Sequence, residues 1–198
     1  ANGENMNYLE QFEQAIAKSK QRGIDPKISE EFPINRNNEA LFRDLGDNQL
    51  IHMLVDIFGL GDWGNNCMNV SAQLFTILQN YNIPCELTYG DVFIGETQEY
   101  DVSINGLLNE WESVSTQKSL AIHVWVTVGK DYIIDPTICS RIHKHYDSKC
   151  PQNHVFWGEA EVIKEQMGIV HSPLLVGKNY LERIAEIPLE YKSLEQLA

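Results

Sequence analysis

Ala121-Ile122-His123-Val124-Trp125-Val126-Thr127-Val128, then Gly129-Lys130-Asp131, then Tyr132-Ile133-Ile134-Asp135-Pro136-Thr137, is the stretch whose reading decides the fold. Residues 121–128 are β-branched and aromatic, the composition of a strand. Gly129-Lys130-Asp131 supplies a tight turn, and 132–135 pairs back as the second arm of a hairpin. Pro136 has no N–H to give the ladder and stops it. A hairpin turning at 129–131 places His123 and Asp135 near the same end of its two strands. A carboxylate there can orient an imidazole and stabilise its charged form. Each residue also has a plainer role. A histidine inside an apolar strand is ordinarily a satisfied core residue, and an aspartate before proline ordinarily caps a turn.

Upstream, Gly59-Leu60-Gly61-Asp62-Trp63-Gly64-Asn65-Asn66 packs three glycines into six positions, which excludes regular structure. Beyond it, Val70, Leu74, Ile77, Leu78 and Tyr81 recur at helical spacing. They predict a central buried helix that opens at Cys67 and ends at Asn82-Ile83-Pro84. Cys67 then lies on the first turn, where free N–H groups and the positive end of the helix dipole stabilise a thiolate. The same N–H groups can receive the oxyanion of an acyl intermediate. A lone cysteine is ordinarily just a small buried hydrophobe. Cysteine, histidine and aspartate in this order, on helix, strand and strand end, make a set for nucleophilic catalysis.

The rest of the chain frames that core. Tyr8, Leu9, Phe12, Ala15 and Ile16 predict a helix over 7–21, ended by Gly23, with a polar, proline-marked connecting arm over 24–38. A short helix is expected at 39–45, and a second one capped by Asp47 and running through Leu50, Met53, Leu54, Ile57 and Phe58. Residues 85–94 read as a strand with a glycine bulge, and 102–118 as a helical excursion. A helix is expected at 158–167 and one or two strands within 169–187. We expect one domain: a helical part to about 60, a catalytic core of about 60–138, and a C-terminal extension of about 139–198.

Two segments carry a resemblance. Gly64-Asn65-Asn66-Cys67 leads into a helix that ends at Asn82-Ile83-Pro84-Cys85, and His123-Val124-Trp125-Val126 is followed by Asp135-Pro136-Thr137. This pattern is similar to the transglutaminase-like superfamily, which is related in core architecture to papain-type proteases and arylamine N-acetyltransferases. The similarity spans roughly residues 60–138, about two-fifths of the chain. It implies an α+β fold, with a nucleophile-bearing helix packed on a small antiparallel sheet. It also implies Cys67 as nucleophile, His123 as base and Asp135 as orienting group. The chain departs from papain-type proteases in lacking the glutamine they place upstream of the cysteine as an oxyanion donor. Asn65, Asn66 or Trp63, with the Cys67 backbone N–H, is the expected substitute, although Asn66 is equally placed to cap the helix. Trp125, two residues after His123, faces the same side of the strand and walls the site or fills the core.

A rival constellation follows the hairpin: Cys139, His143, His145, Cys150 and His154, residue types that bind zinc. Their spacing fits no zinc-finger pattern, and the stretch reads as an exposed loop interleaved with Arg141, Lys144 and Lys149. His52 and His171 stand isolated.

The charge of −13, from 15 basic and 28 acidic residues, disfavours nucleic acid and anionic membrane surfaces as partners. No run approaches the roughly 18 apolar residues of a membrane helix, and no leader segment is read at the N-terminus. The four cysteines do not make a disulfide scaffold, so a reducing, cytoplasmic compartment is expected. The expected chemistry is thiolate attack on an amide, ester or thioester carbonyl of a protein, peptide or small acyl donor, through a thioester acyl-enzyme. Water or an amine resolves it, and no metal or organic cofactor is required. The segment 95–119, between nucleophile and base, is expected to form a lid or specificity wall. Two alternatives stand beside this reading: a non-catalytic binding module on the same fold, and a zinc-organised structural protein.

Overall fold

The structure is a computed structural model and describes residues 6–29, 39–114, 120–187 and 189. The fold is α+β, built on one antiparallel sheet. Its strands are β1 (Cys85–Ile94), β2 (Thr97–Gln98), β3 (His123–Val128), β4 (Tyr132–Asp135), β5 (Phe156–Glu159) and β6 (Ile169–Val176). The order is β2-β1-β3-β4-β5, and β6 also pairs with β1. β3 and β4 form the expected hairpin, with Val126 opposite Ile134 and Val128 opposite Tyr132.

The sheet is clothed on both faces because its strands alternate two sets of buried residues. Helix α4 (Cys67–Asn80) lays Val70, Leu74 and Leu78 against Leu87, Val124, Val126 and Val128. Helix α1 (Tyr8–Gln21) covers the other face, with Tyr8, Phe12 and Ala15 packed among Val92, Trp125, Ile133 and Val176. His123, Trp125 and Thr127 point to the α1 face by the period of two along a strand. Tyr8 Oη hydrogen-bonds Thr127 Oγ1 at 2.8 Å and accepts from Trp125 Nε1 at 3.0 Å, so these three buried polar groups satisfy one another.

The glycine bulge expected in 85–94 lies in the pairing of β1 with β6, between Tyr89 and Gly90. A Cβ on Gly90 would sit 2.0 Å from the Ser172 carbonyl oxygen and 3.0 Å from the Trp125 ring. Only a glycine lets β6 approach so closely. Gly90 faces His123 on one side and Pro173 on the other, so this close approach occurs where the sheet meets the site.

Several expectations need correction. Asp47 does not cap a helix. Helix α2 (Glu39–Leu45) runs through a π-turn at Gly46–Leu50 straight into α3 (Ile51–Phe58), with helical backbone at both junctions. Tyr81 is 43% exposed and lies beyond the buried stripe of α4. The excursion after β2 is a shorter helix, α5 (Ile104–Glu112), and 115–119 fall outside the described residues, as do 30–38 of the connecting arm. Residues 139–145 are not a loop but belong to helix α6 (Ile138–His145). The expected helix at 158–167 is α7 (Ala160–Met167), preceded by the unforeseen strand β5. The last part holds one strand, β6, and then helix α8 (Lys178–Ala185). Among the described residues no helix is long and apolar enough to cross a membrane.

Candidate active site

The site forms where the N-terminus of α4 meets the start of β3. The loop before Cys67 is held from both sides. Trp63 N donates to Ser140 Oγ at 3.1 Å, and Gly61 exchanges hydrogen bonds with the Asn153 side chain at 3.1 and 2.8 Å. Cys67 emerges from this loop only 7% exposed, and its thiol donates to the Ile122 carbonyl at 3.7 Å, just ahead of β3.

His123 and Asp135 meet as the hairpin predicts. His123 Nε2 donates to Asp135 Oδ2 at 2.6 Å, and both side chains are wholly buried. Since a carboxylate has no hydrogen to give, Nε2 carries the proton. Nδ1 is then the nitrogen left for Cys67, and it makes no hydrogen bond. Burial alone would lower the His123 pKa. The Asp135 carboxylate, with a smaller contribution from the neighbouring Cys67, outweighs that and pushes it up to about 10.

Asp135 accepts four hydrogen bonds. Its Oδ1 accepts from Thr137 N and Ile138 N, each at 3.1 Å, which also satisfies the open end of α6. Its Oδ2 accepts from His123 and, at 2.9 Å, from His171 Nε2 on β6. Burial would raise its pKa, but the two imidazoles hold the carboxyl well below the usual range, so it is anionic. His171, buried and beside His123, is held below the ordinary histidine value, burial being the larger cause.

Two further residues build the surroundings. Tyr100 stacks on the His123 ring (centroids 4.4 Å apart, planes at 12°), and the Arg141 guanidinium lies 4.5 Å above the other face of the tyrosine. Arg141 is itself anchored to Glu99 by Nε to Oε1 at 2.8 Å. The Tyr100 hydroxyl is buried without a partner. The loop carrying Tyr100 is pinned by Asp91, whose carboxylate accepts from Val92 N, Gln98 Nε2, Tyr100 N and Val102 N at 2.7–3.0 Å. Within the expected lid segment, then, Glu99–Val102 border the site, while α5 packs on α8 and buries Leu107 and Leu108.

The expected oxyanion donors fare differently. Trp63 is excluded, because its indole N–H is given to the Gly59 carbonyl at 3.0 Å. Asn66 occupies the N-cap position of α4 but makes no capping bond; its Oδ1 accepts from Asn69 Nδ2 at 2.7 Å. Asn65 is exposed on the loop. Trp125 is fully buried behind the imidazole, 5.7 Å from the His123 ring and 5.0 Å from His171, so it is both site wall and core.

The rival constellation does not assemble. Cys139 is buried in the α1-side core, and Cys150 is partly buried beside it. His143 Nδ1 pairs with the Cys150 carbonyl at 2.8 Å, and His145 is exposed. His154 lines a separate cleft with Tyr132 and Trp157. Among the described residues, the metal-ligating side chains that converge are His123, Asp135 and His171, with one donor atom each within 4.8 Å of the others. Both Nε2 atoms sit at hydrogen-bond distance from one shared oxygen, and the 2.6 Å contact is closer than two ligands of one ion usually approach. The chemistry is that of a hydrogen-bonded chain rather than a cage.

No family model and no curated protein matches the chain. A protein solved as a structural-genomics target is similar over 79% of this chain and 73% of its own, at 18% identity and a TM-score of 0.39. A likeness of that order carries nothing about function.

Sequence reading missed His171, Tyr100 and Asp91. For His171 a cue exists: Ile169, His171, Pro173 and Leu175 alternate with less buried neighbours, which places the histidine on the inner face of a strand. For Tyr100 and Asp91 the sequence offers only their position between nucleophile and base.

Proposed function

We propose that the protein is a transglutaminase-like cysteine enzyme that attacks an amide, ester or thioester carbonyl, with Cys67 as nucleophile, His123 as base and Asp135 as orienting group. The observation that carries this reading is the sealed His123–Asp135 hydrogen bond, which leaves Nδ1 as the imidazole nitrogen turned to a cysteine at a helix N-terminus. The helix, strand and strand-end order of the three residues fits the family resemblance.

The Cys67 thiol proton moves to His123 Nδ1, and the sulfur forms a bond to the carbonyl carbon, giving a tetrahedral oxyanion. We assign that charge to the backbone N–H groups opening α4 and to the unpartnered hydroxyl of Tyr100, whose ring stacks on His123. Collapse breaks the bond to the leaving amine, alcohol or thiol, which departs with the proton from Nδ1. Water or an amine then gives its proton to Nδ1, attacks the thioester and releases Cys67. Water makes the reaction a hydrolysis or deamidation; an amine makes it a transfer.

The test is the rate at which iodoacetamide labels Cys67, followed on its peptide by mass spectrometry in wild type and His123→Ala. We expect a fall on the order of tenfold or more at neutral pH without the imidazole. Trapping of an acyl-enzyme on amide, ester and thioester substrates would follow. Equal rates in the two proteins would remove the catalytic reading and leave a binding module on the same scaffold.

A further inference from the structure

Asp135 divides one oxygen between two imidazoles, and the triad uses only one of them. His171 reaches the site from β6, a strand that pairs with β1 and not with the hairpin carrying His123 and Asp135. Its approach depends on the Tyr89–Gly90 bulge and on the missing side chain of Gly90 against Ser172. Its side chain is wholly buried, its Nε2 lies 2.9 Å from Asp135 Oδ2, and its Nδ1 has no partner.

We infer that His171 is a positioning residue that acts on His123 through Asp135: its Nε2–H takes a share of Oδ2 and limits how tightly the carboxylate holds the catalytic imidazole. This rests on the reading of Cys67, His123 and Asp135 as the reacting set.

In an open site, water would solvate a carboxylate oxygen and moderate its grip on a partner. Here both side chains of the pair are fully buried, so only a protein donor can do this. Oδ1 is already occupied by two backbone N–H groups, which leaves Oδ2 alone to be divided. The donor must also be neutral, because a second imidazolium would compete for the same charge. The unpartnered, buried Nδ1 meets that need, since a proton there would find no acceptor. Burial likewise disfavours the charged form of His171. The titratable groups facing His171 are Asp135 from β4 and His123 from β3; on its outer side Tyr8 of α1 and Glu161 and Lys164 of α7 line a small cleft with it. Asp91 on β1 lies opposite Ser172, one position along, and spends its carboxylate on the loop before α5.

The experiment uses long-range proton–nitrogen spectra of the full chain, labelled with 15N. In wild type, His171 is expected neutral at neutral pH with its proton on Nε2. In His171→Met, which removes the donor at similar volume, the pH at which His123 loses its proton should rise by about half a unit or more. The His123 Nε2–H resonance should move downfield. His171→Gln, whose amide supplies an N–H near the same point, should return most of both changes. No movement, movement of equal size in both variants, or movement toward lower pH would overturn the inference. So would a wild-type proton on Nδ1 of His171, and that measurement needs no variant to fold. Labelling of Cys67 in His123→Ala is read separately. Indifference there would end the catalytic reading, while the spectra would still decide whether His171 governs Asp135.

Discussion

Asp135→Asn tests the site at its most connected point. The substitution keeps shape and leaves the amide oxygen for Thr137 N and Ile138 N. The new amide N–H then points at His123 Nε2 and His171 Nε2, which are donors in the native chain. Two donors cannot share that contact, so His123 must move its proton to Nδ1, the nitrogen that has to accept from Cys67. The magnitude follows from what Asp135 supplies. Asp135 is the leading cause that raises the His123 pKa from 6.5 to about 10 against the cost of burial. Without it, Cys67 loses its cationic partner near neutral pH. A thiol with no such partner is only a few per cent ionised there, so labelling by iodoacetamide should fall by about thirtyfold or more. Acyl transfer should fall further, by about a thousandfold or more, because the base also carries its proton on the wrong nitrogen. The assay is labelling of the Cys67 peptide near neutral pH, with circular dichroism and thermal melting to show that the variant is folded. A folded Asp135→Asn protein whose Cys67 labels at the wild-type rate would mean that Asp135 does not set the state of His123.

Three further outcomes are expected. Gly90→Ala would place a Cβ 2.0 Å from the Ser172 carbonyl, so β6 must shift, at a cost of about 3 kcal/mol or more in urea denaturation; unchanged stability would mean that β6 does not press on Gly90. Glu86, 1% exposed, is pushed up to about 7 by burial, against hydrogen bonds from Lys27 N and Leu87 N. The folded chain there keeps a proton that the unfolded chain releases near 4.5, so stability present in acid is lost as the pH rises through 7, by up to roughly 3 kcal/mol. Glu86→Gln should flatten that decline in denaturation midpoints measured from about pH 5 to 7.5, and an unaltered slope would assign it elsewhere. The contribution of His123 is full below 6.5 and is lost at higher pH, through about 10, so it survives the Glu86 substitution. Tyr100→Phe removes a buried hydroxyl that has no partner, so stability should hold or rise by about 1 kcal/mol and Cys67 labelling should stay the same. Acyl transfer should fall roughly tenfold to a hundredfold; equal turnover would leave oxyanion binding to the backbone alone.

What could be read in the sequence follows the range of the interactions. The hairpin was legible because its two strands are contiguous: strand composition, a tight turn and a stopping proline fix the register that sets His123 beside Asp135. Cys67 was legible because a glycine-rich loop and a helical stripe both mark the same boundary. Asp47 misled because an N-cap residue and the middle of an unbroken helical run look alike when the turn between them widens to a π-turn, which follows from packing rather than from residue type. The α6 segment misled because its apolar stripe is only Ile138, Cys139 and Ile142, too short to stand out among histidines and lysine as the stripe of a longer helix does. The place of His171 beside Asp135 was hidden for a stronger reason. Its neighbours in the site come from β3 and β4, but it arrives on β6, through pairing with β1 at a register that Gly90 permits. No local pattern in 169–176 reports that pairing. The second imidazole is therefore a product of sheet order, and the same glycine that reads as a bulge in isolation lets it reach Asp135.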